Sequence, residues 1–138
     1  MGARRPSSGE RTKQPLVLVV EQSDDLRRAF VDALAGVGFT TLGAGNGHEA
    51  VVKASAMRPE LVVLDLSVPL LGGRDTLRVL RSQPRTRGAL VLALAERPTD
   101  LDDIDSFDGA LRKPCTPAML VLAVQGLLTL ARRKRASP

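Results

Sequence analysis

Two acids and a lysine stand where one rim of a folded sheet could gather them. Asp65 closes the apolar run Leu61-Val62-Val63-Leu64 and leads into Leu66-Ser67-Val68-Pro69 and Gly72-Gly73. Glu21, followed by Gln22, closes Leu16–Val20, and Lys113 stands between Ala110–Arg112 and Pro114. A buried run that ends in a carboxylate fixes the backbone and delivers the acid to the strand's carboxyl end, where open α/β sheets place their ligands. Acids from two strand ends with a lysine from a third could hold Mg²⁺ and a phosphoryl group. Mg²⁺ takes oxygen ligands and keeps several waters, so few carboxylates suffice. A lysine is a point charge suited to a phosphate oxygen. Two plainer readings stand beside this one: Asp65 as a solvated strand-end acid, and Lys113 as the structural counter-charge of Asp65 and Glu21.

The elements that must position these groups alternate in type. Leu16–Val20 reads as a buried strand. Leu26, Phe30, Ala33, Leu34 and Val37 share one helical face, and Gly36 and Gly38 end that helix. Phe39–Leu42 is a short second strand, and Gly43 to Gly47 a loop. Ala50, Val51, Ala54 and Met57 line a second helix stopped by Pro59. Leu61–Leu64 is the third strand, and a third helix around Leu77 and Leu80 ends near Pro84. Leu90–Ala95 is a fourth strand. Thr99 to Phe107 reads as a short helix, with Thr99 and Asp102 at capping-box spacing. Ala110–Arg112 is a minimal fifth strand, and a long helix starts at Thr116. Strands alternating with helices at this spacing predict a parallel sheet covered on both faces.

Composition bounds the function. The 138 residues suit one domain, and 43% hydrophobic with 25% charged residues describes an ordinary globular chain. The formal charge is +5, of which residues 1–15 carry +3 and residues 132–138 carry +4, leaving −2 for the middle. The basic balance therefore sits in two tails. We expect a disordered basic tail over 1–14, a folded domain over 15–133 and a basic C-terminal tail over 134–138. The single Cys115 excludes an internal disulfide, in keeping with a reducing compartment, and with the single His48 it makes no zinc cluster. The N-terminus has no apolar signal region, and Pro6 breaks the myristoylation pattern, so a cytoplasmic location is expected. The acids Asp100, Asp102, Asp103, Asp105 and Asp108 miss the EF-hand spacing, because Ile104 and Phe107 fall at ligand positions, and read as a solvated acidic helix.

Several stretches together carry a resemblance. Val19-Val20-Glu21, Asp65 with Pro69 and Gly73, Lys113-Pro114, Asn46-Gly47-His48-Glu49-Ala50 and Arg58-Pro59-Glu60-Leu61 are similar, in order and spacing, to the receiver domain of two-component response regulators. The resemblance runs from Leu16 to about Arg133. It implies a flavodoxin-like, doubly wound α/β sandwich with strand order 2-1-3-4-5 and about five helices, the fourth one short. It also implies Asp65 as phosphoacceptor, Glu21 as an acidic metal residue, the Ser67 carbonyl as a metal ligand and Lys113 as the phosphate-sensing lysine. Mg²⁺ would be the cofactor, and a sensor histidine kinase or phosphotransfer protein the donor.

The chain departs from that pattern at four places. Gln22 stands where receivers carry a second acid. Ala95, thirty residues beyond Asp65, stands where they carry Ser or Thr, and Ala110 where they carry an aromatic switch residue. The interval from Ala95 to Lys113 is short by about one helical turn. We therefore expect weak or absent Mg²⁺ binding and slow or absent phosphorylation of Asp65. The alternative function is a phosphorylation-independent pseudo-receiver that acts as an interaction or dimerisation scaffold. An aspartyl-phosphate phosphatase would need an acid where Ser67 stands, so no enzymatic activity is expected.

The final helix is apolar nearly all round. Its run Ala118–Ala131 is shorter than the roughly 20 residues of a membrane span and contains Gln125, so no membrane role is expected. Leu120, Val124, Leu127, Leu128 and Ala131 can face the sheet. Met119, Leu122, Ala123, Gly126 and Leu130 then form a second apolar face, the expected surface for a homodimer or a downstream protein. Arg132-Arg133-Lys134-Arg135 reads as a solvated helix end favoured by the helix dipole. With no helix-turn-helix and no aromatic stacking residues, nucleic acid is not expected as a partner.

Overall fold

The computed structural model describes residues 14–136. Five strands, β1 (Leu16–Val20), β2 (Thr40–Ala44), β3 (Leu61–Asp65), β4 (Leu90–Ala95) and β5 (Gly109–Arg112), form one sheet of order β2-β1-β3-β4-β5. Every neighbouring pair is parallel. Four α-helices cover it: α1 (Asp24–Gly36), α2 (Gly47–Met57), α3 (Gly73–Ser82) and α4 (Pro117–Ala136). The expected flavodoxin-like sandwich and its strand order are both present.

The period-two alternation of strand side chains divides the core into two layers. Leu18, Val20, Val62, Leu64, Val91 and Ala93 pack with Ala50, Ala54, Leu77 and Leu80 beneath α2 and α3. Val17, Val19, Leu61, Val63, Leu92 and Leu94 pack with Phe30, Leu34, Leu120, Val124 and Leu128 beneath α1 and α4. Because β1, β3 and β4 are covered on both faces, they read as unbroken apolar runs. β2 lies at an edge, exposed at Thr40 and half-buried until Ala44, so its pattern is weak. It begins at Thr40, not Phe39, whose ring packs instead against the α1/α4 layer.

Other boundaries shift for physical reasons. Val37, expected on the buried face of α1, lies past the helix end and is 50% exposed. The chain turns there at Gly38, whose φ of +103° suits glycine. Met57 is likewise 53% exposed at the end of α2. The expected fourth of five helices is two single 3₁₀ turns, Pro98–Leu101 and Ile104–Ser106. α4 continues to Ala136, through residues assigned to the C-terminal tail; the expected tail over 1–14 lies outside the described residues except for Gln14.

The 3₁₀ segment corrects the reading of a solvated acidic helix. Asp100 is buried at 3% exposure and accepts the backbone N–H groups of Glu96 and Arg97 at 3.0 and 2.9 Å. Arg74 reaches across from α3, donating to both Asp103 oxygens and to the Asp100 carbonyl at 2.8 Å. Ile104 and Phe107 seat the segment on the α2/α3 core layer. A segment too short for another helical turn is thus tied down by its own acids.

Candidate functional site

Glu21 extends β1 by one residue, its N–H donating to the Ala44 carbonyl at 3.0 Å. Its side chain is buried at 1% exposure, with Oε2 accepting the Ser23 N–H at 3.0 Å. Ser23 in turn caps α1, its hydroxyl accepting the Leu26 N–H, and Arg27 donates to the Glu21 carbonyl at 2.7 Å. The first helix and the first acid are therefore one local unit.

Asp65 ends β3 with no exposed surface. Its Oδ1 accepts two hydrogen bonds from Ser67, from the N–H at 2.9 Å and the hydroxyl at 2.7 Å. The loop behind it is fixed by close backbone approach. A Cβ at Gly73 would lie 2.6 Å from Leu66 Cα, and one at Gly47 would lie 1.9 Å from the Leu71 carbonyl oxygen, so both positions require glycine.

Lys113 continues β5, its N–H donating to the Ala95 carbonyl at 2.8 Å, and the following peptide to Pro114 is cis. Its ammonium lies 2.7 Å from Glu21 Oε1 and 3.2 Å from Asp65 Oδ2. Those two buried oxygens take no aligned hydrogen bond; the lysine's charge is what holds them. Burial raises the Glu21 carboxyl above its ordinary value, opposed by Lys113 and the Ser23 N–H. Burial pulls the Lys113 ammonium down, but Glu21 and Asp65 outweigh it and the net shift is upward.

The fold brings Glu21, Asp65, Ser67 and Lys113 together and leaves Gln22 exposed at the rim. Ala95 is fully buried at the end of β4 and presents only a methyl group, and Ala110 is half-buried beside Ala93 in β5. On α4, Met119, Leu122 and Leu130 are 46, 69 and 50% exposed, and Gly126 is exposed beside them. Ala123 departs from the expected second face, packing partly against the α1/α4 core layer. Two groups escaped sequence reasoning. One is the Ser67 side chain, which orients Asp65. The other is Glu96, directly after Ala95, which lines the same opening as Glu21, Gln22, Lys113 and Cys115. Burial raises the Cys115 thiol above its ordinary value, so it is a packed rather than a reactive cysteine.

The residues fit a divalent cation in part. Two buried carboxylate oxygens without aligned hydrogen bonds are suitable donors, and Gln22 has an amide oxygen nearby in sequence. Among the described residues, however, no group of three or more His, Cys, Asp or Glu side chains is placed to hold a metal. No described helix is long and apolar enough to cross a membrane.

The response regulator receiver domain profile matches residues 17–125. The DNA-binding response regulator MtrA of Mycolicibacterium smegmatis is 31% identical over 121 residues, which is 85% of this chain and 52% of that protein. The regulatory protein AtoC of Escherichia coli is 33% identical over 122 residues, 86% of this chain and 26% of that protein. The chain thus spans about half or less of the curated relatives it matches. Among solved structures, the signal receiver domain of a signal transduction histidine kinase from Syntrophus aciditrophicus is 29% identical, with a TM-score of 0.77 over 90% of this chain and 97% of that one. The chemotaxis response regulator CheY4 of Vibrio cholerae shares the fold, with a TM-score of 0.77 over 83% of this chain and 99% of that one, at 24% identity. The expectation against nucleic acid draws no support from relatives of which one is named DNA-binding. A parallel sheet of this order, an acid buried at the end of its central strand and a lysine bridging it to a second acid agree with these matches: the chain belongs to the response regulator receiver domain family.

Proposed function

We propose that Asp65 accepts a phosphoryl group in a two-component phosphorelay, slowly, and that the chain passes the signal on through protein contacts in the cytoplasm. The observation that carries this reading is the Lys113 ammonium lying 3.2 Å from Asp65 Oδ2 and 2.7 Å from Glu21. The donor is a phosphohistidine of a sensor kinase or phosphotransfer protein. An Asp65 carboxylate oxygen forms the new P–O bond as the donor's P–N bond breaks, and the released imidazole takes up a proton. Oδ2 is the oxygen for that bond, because Oδ1 is engaged twice by Ser67.

Reactivity is low for reasons visible at each neighbour. Asp65 is fully buried, so the donor reaches it only when Lys113 or the Ser67 loop shifts. The methyl group of Ala95 gives the product no hydroxyl donor, a loss of roughly 1.5–3 kcal/mol at a charged phosphoryl group. Mg²⁺ would be held by Glu21, Asp65 and the Ser67 carbonyl, with Gln22 supplying an amide where a carboxylate would bind better. When bound, the ion would neutralise charge on the phosphoryl oxygens. Lys113 already pairs with both acids, so the ion competes with an internal cation and binds weakly.

That internal pairing also supports a second reading, a pseudo-receiver in which Glu21, Asp65 and Lys113 are structural and the exposed face of α4 pairs two copies or docks a partner. Titration of Mg²⁺ and beryllofluoride into the protein and into Asp65→Asn separates the two. Weak binding that disappears in Asp65→Asn supports the acceptor; no binding to either protein leaves only the scaffold.

A further inference from the structure

We propose that the edge of the sheet opposite Asp65 binds the phosphate backbone of double-stranded nucleic acid without regard to sequence. All five strands run parallel, so the loops before β3 and β4 and the C-terminal end of α4 meet at one edge. Arg58, Arg85, Lys134 and Arg135 line a cavity there of about 440 Å³, with Glu60 as the only acid in its lining. Arg87, in the same loop as Arg85, and Arg132, on the last turns of α4, add to this edge. All six side chains belong to exposed residues, and among the described residues none of them forms an ion pair.

Away from this edge, the exposed Arg28 on α1 and Arg112 on β5 also lack an ion pair among the described residues, but they stand on separate elements. Elsewhere Arg27, Lys53, Arg74, Arg78, Arg81, Arg97 and Lys113 each lie against an acid of their own. Asp108, the other acid nearby, is taken by Arg81 at 2.9 Å and by the Val91 N–H at 2.7 Å. The dipole of α4 favours cations at its last turn, and that accounts for Arg132, Lys134 and Arg135 alone. Arg58 caps the C-terminus of α2, and Arg85 donates to the Ser55 carbonyl in its last turn at 2.8 Å. The end of a second helix thus gathers cations at the same edge, and Arg87 joins them from the loop after α3.

The chemistry favours a duplex over other polyanions. Five of the six side chains are arginines, whose planar forks match phosphate oxygens two at a time. Trp and Tyr, the residues that anchor proteins at a lipid interface, are absent from the chain. Its three Phe side chains are buried or partly buried in the core layers, leaving none to stack single-stranded bases. A backbone held by charge alone releases counterions, so binding must weaken steeply with salt.

The test is fluorescence anisotropy of two labelled DNA duplexes of unrelated sequence, with the full chain, at rising salt. Both duplexes bind alike in about 50 mM salt. With about four phosphates neutralised, affinity falls roughly 150-fold by about 200 mM. The combined variant Arg58→Glu, Arg87→Glu, Lys134→Glu, Arg135→Glu loses binding, the milder set to Gln weakens it, and circular dichroism shows both folded. Asp65→Asn binds as the parent does, which separates this proposal from the phosphorelay reading. No binding at low salt, binding that survives the Glu set, or capture by phosphatidylserine vesicles without capture of the duplexes would each overturn it.

Discussion

The two edges of the sheet treat charge in opposite ways. At the carboxyl edge, the buried Glu21 and Asp65 share one ammonium, that of Lys113, across 2.7 and 3.2 Å. At the amino edge, Arg58, Arg85, Arg87, Arg132, Lys134 and Arg135 stand exposed with no acid of their own among the described residues. Acids that share an internal cation present an outside ion with a competitor already in place. An edge that leaves its charges unmatched contributes little to stability and has its full field available for a partner. The same chain therefore pairs the cation at one edge with buried acids and leaves those at the other exposed to solvent.

Removing the internal cation should separate the two edges most sharply. Lys113→Met leaves two buried carboxylates without their counter-charge, a loss of about 3–5 kcal/mol, measured by chemical denaturation. The Lys113 ammonium is raised in the folded state, so its stabilisation is complete below its unfolded value of about 10.4 and is lost as pH rises through the folded value. The gap between wild type and variant should hold at neutral pH and close in strong alkali. A variant as stable as wild type would mean that the carboxyl edge is not held by this charge.

Asp100→Ala comes next, at about 2 kcal/mol, because the buried carboxylate accepts two backbone N–H groups. The Arg97 N–H, the Glu96 N–H and the Arg97 guanidinium hold the Asp100 carboxyl below its ordinary value, against burial. Its contribution is therefore present above the unfolded value of about 4 and is lost as pH falls through the folded value. Thermal melts of wild type and variant should differ at pH 7 and converge in acid. Equal melting temperatures at pH 7 would show that the 3₁₀ segment does not depend on this acid. Smallest is Gln22→Asp, which restores a third acid at the rim. Isothermal titration should find Mg²⁺ affinity increased roughly tenfold, about 1.4 kcal/mol; unchanged affinity would mean that position 22 does not reach the metal.

Most of the fold was legible because the strands that carry the site are buried on both faces. Leu16–Val20, Leu61–Leu64 and Leu90–Ala95 are unbroken apolar runs, and each was placed within one residue. Edge strand β2 was misplaced because a half-buried strand has no strong pattern, and Phe39 attracted the assignment with a ring that packs on another layer. Val37 and Ala123 fell on the wrong side of their helices because helical spacing cannot tell where a helix stops or which neighbour flanks it. The 3₁₀ segment was missed because its structure depends on Arg74 from a distant helix. At the site, Glu21, Asp65 and Lys113 were legible as strand-end charges. The double grip of Ser67 on Asp65 was not, since a serine two residues past an acid marks many turns.

The account turns on Asp65, and the direct measurement is intact-protein mass spectrometry after incubation with acetyl phosphate, with and without Mg²⁺, beside Asp65→Asn. The predicted result is a slow, partial gain of one phosphoryl group that responds weakly to Mg²⁺ and is absent from Asp65→Asn. Rapid, complete, strongly Mg²⁺-dependent labelling would contradict a site whose acids are already held by Lys113. No labelling at Asp65 under any condition would contradict its role as acceptor.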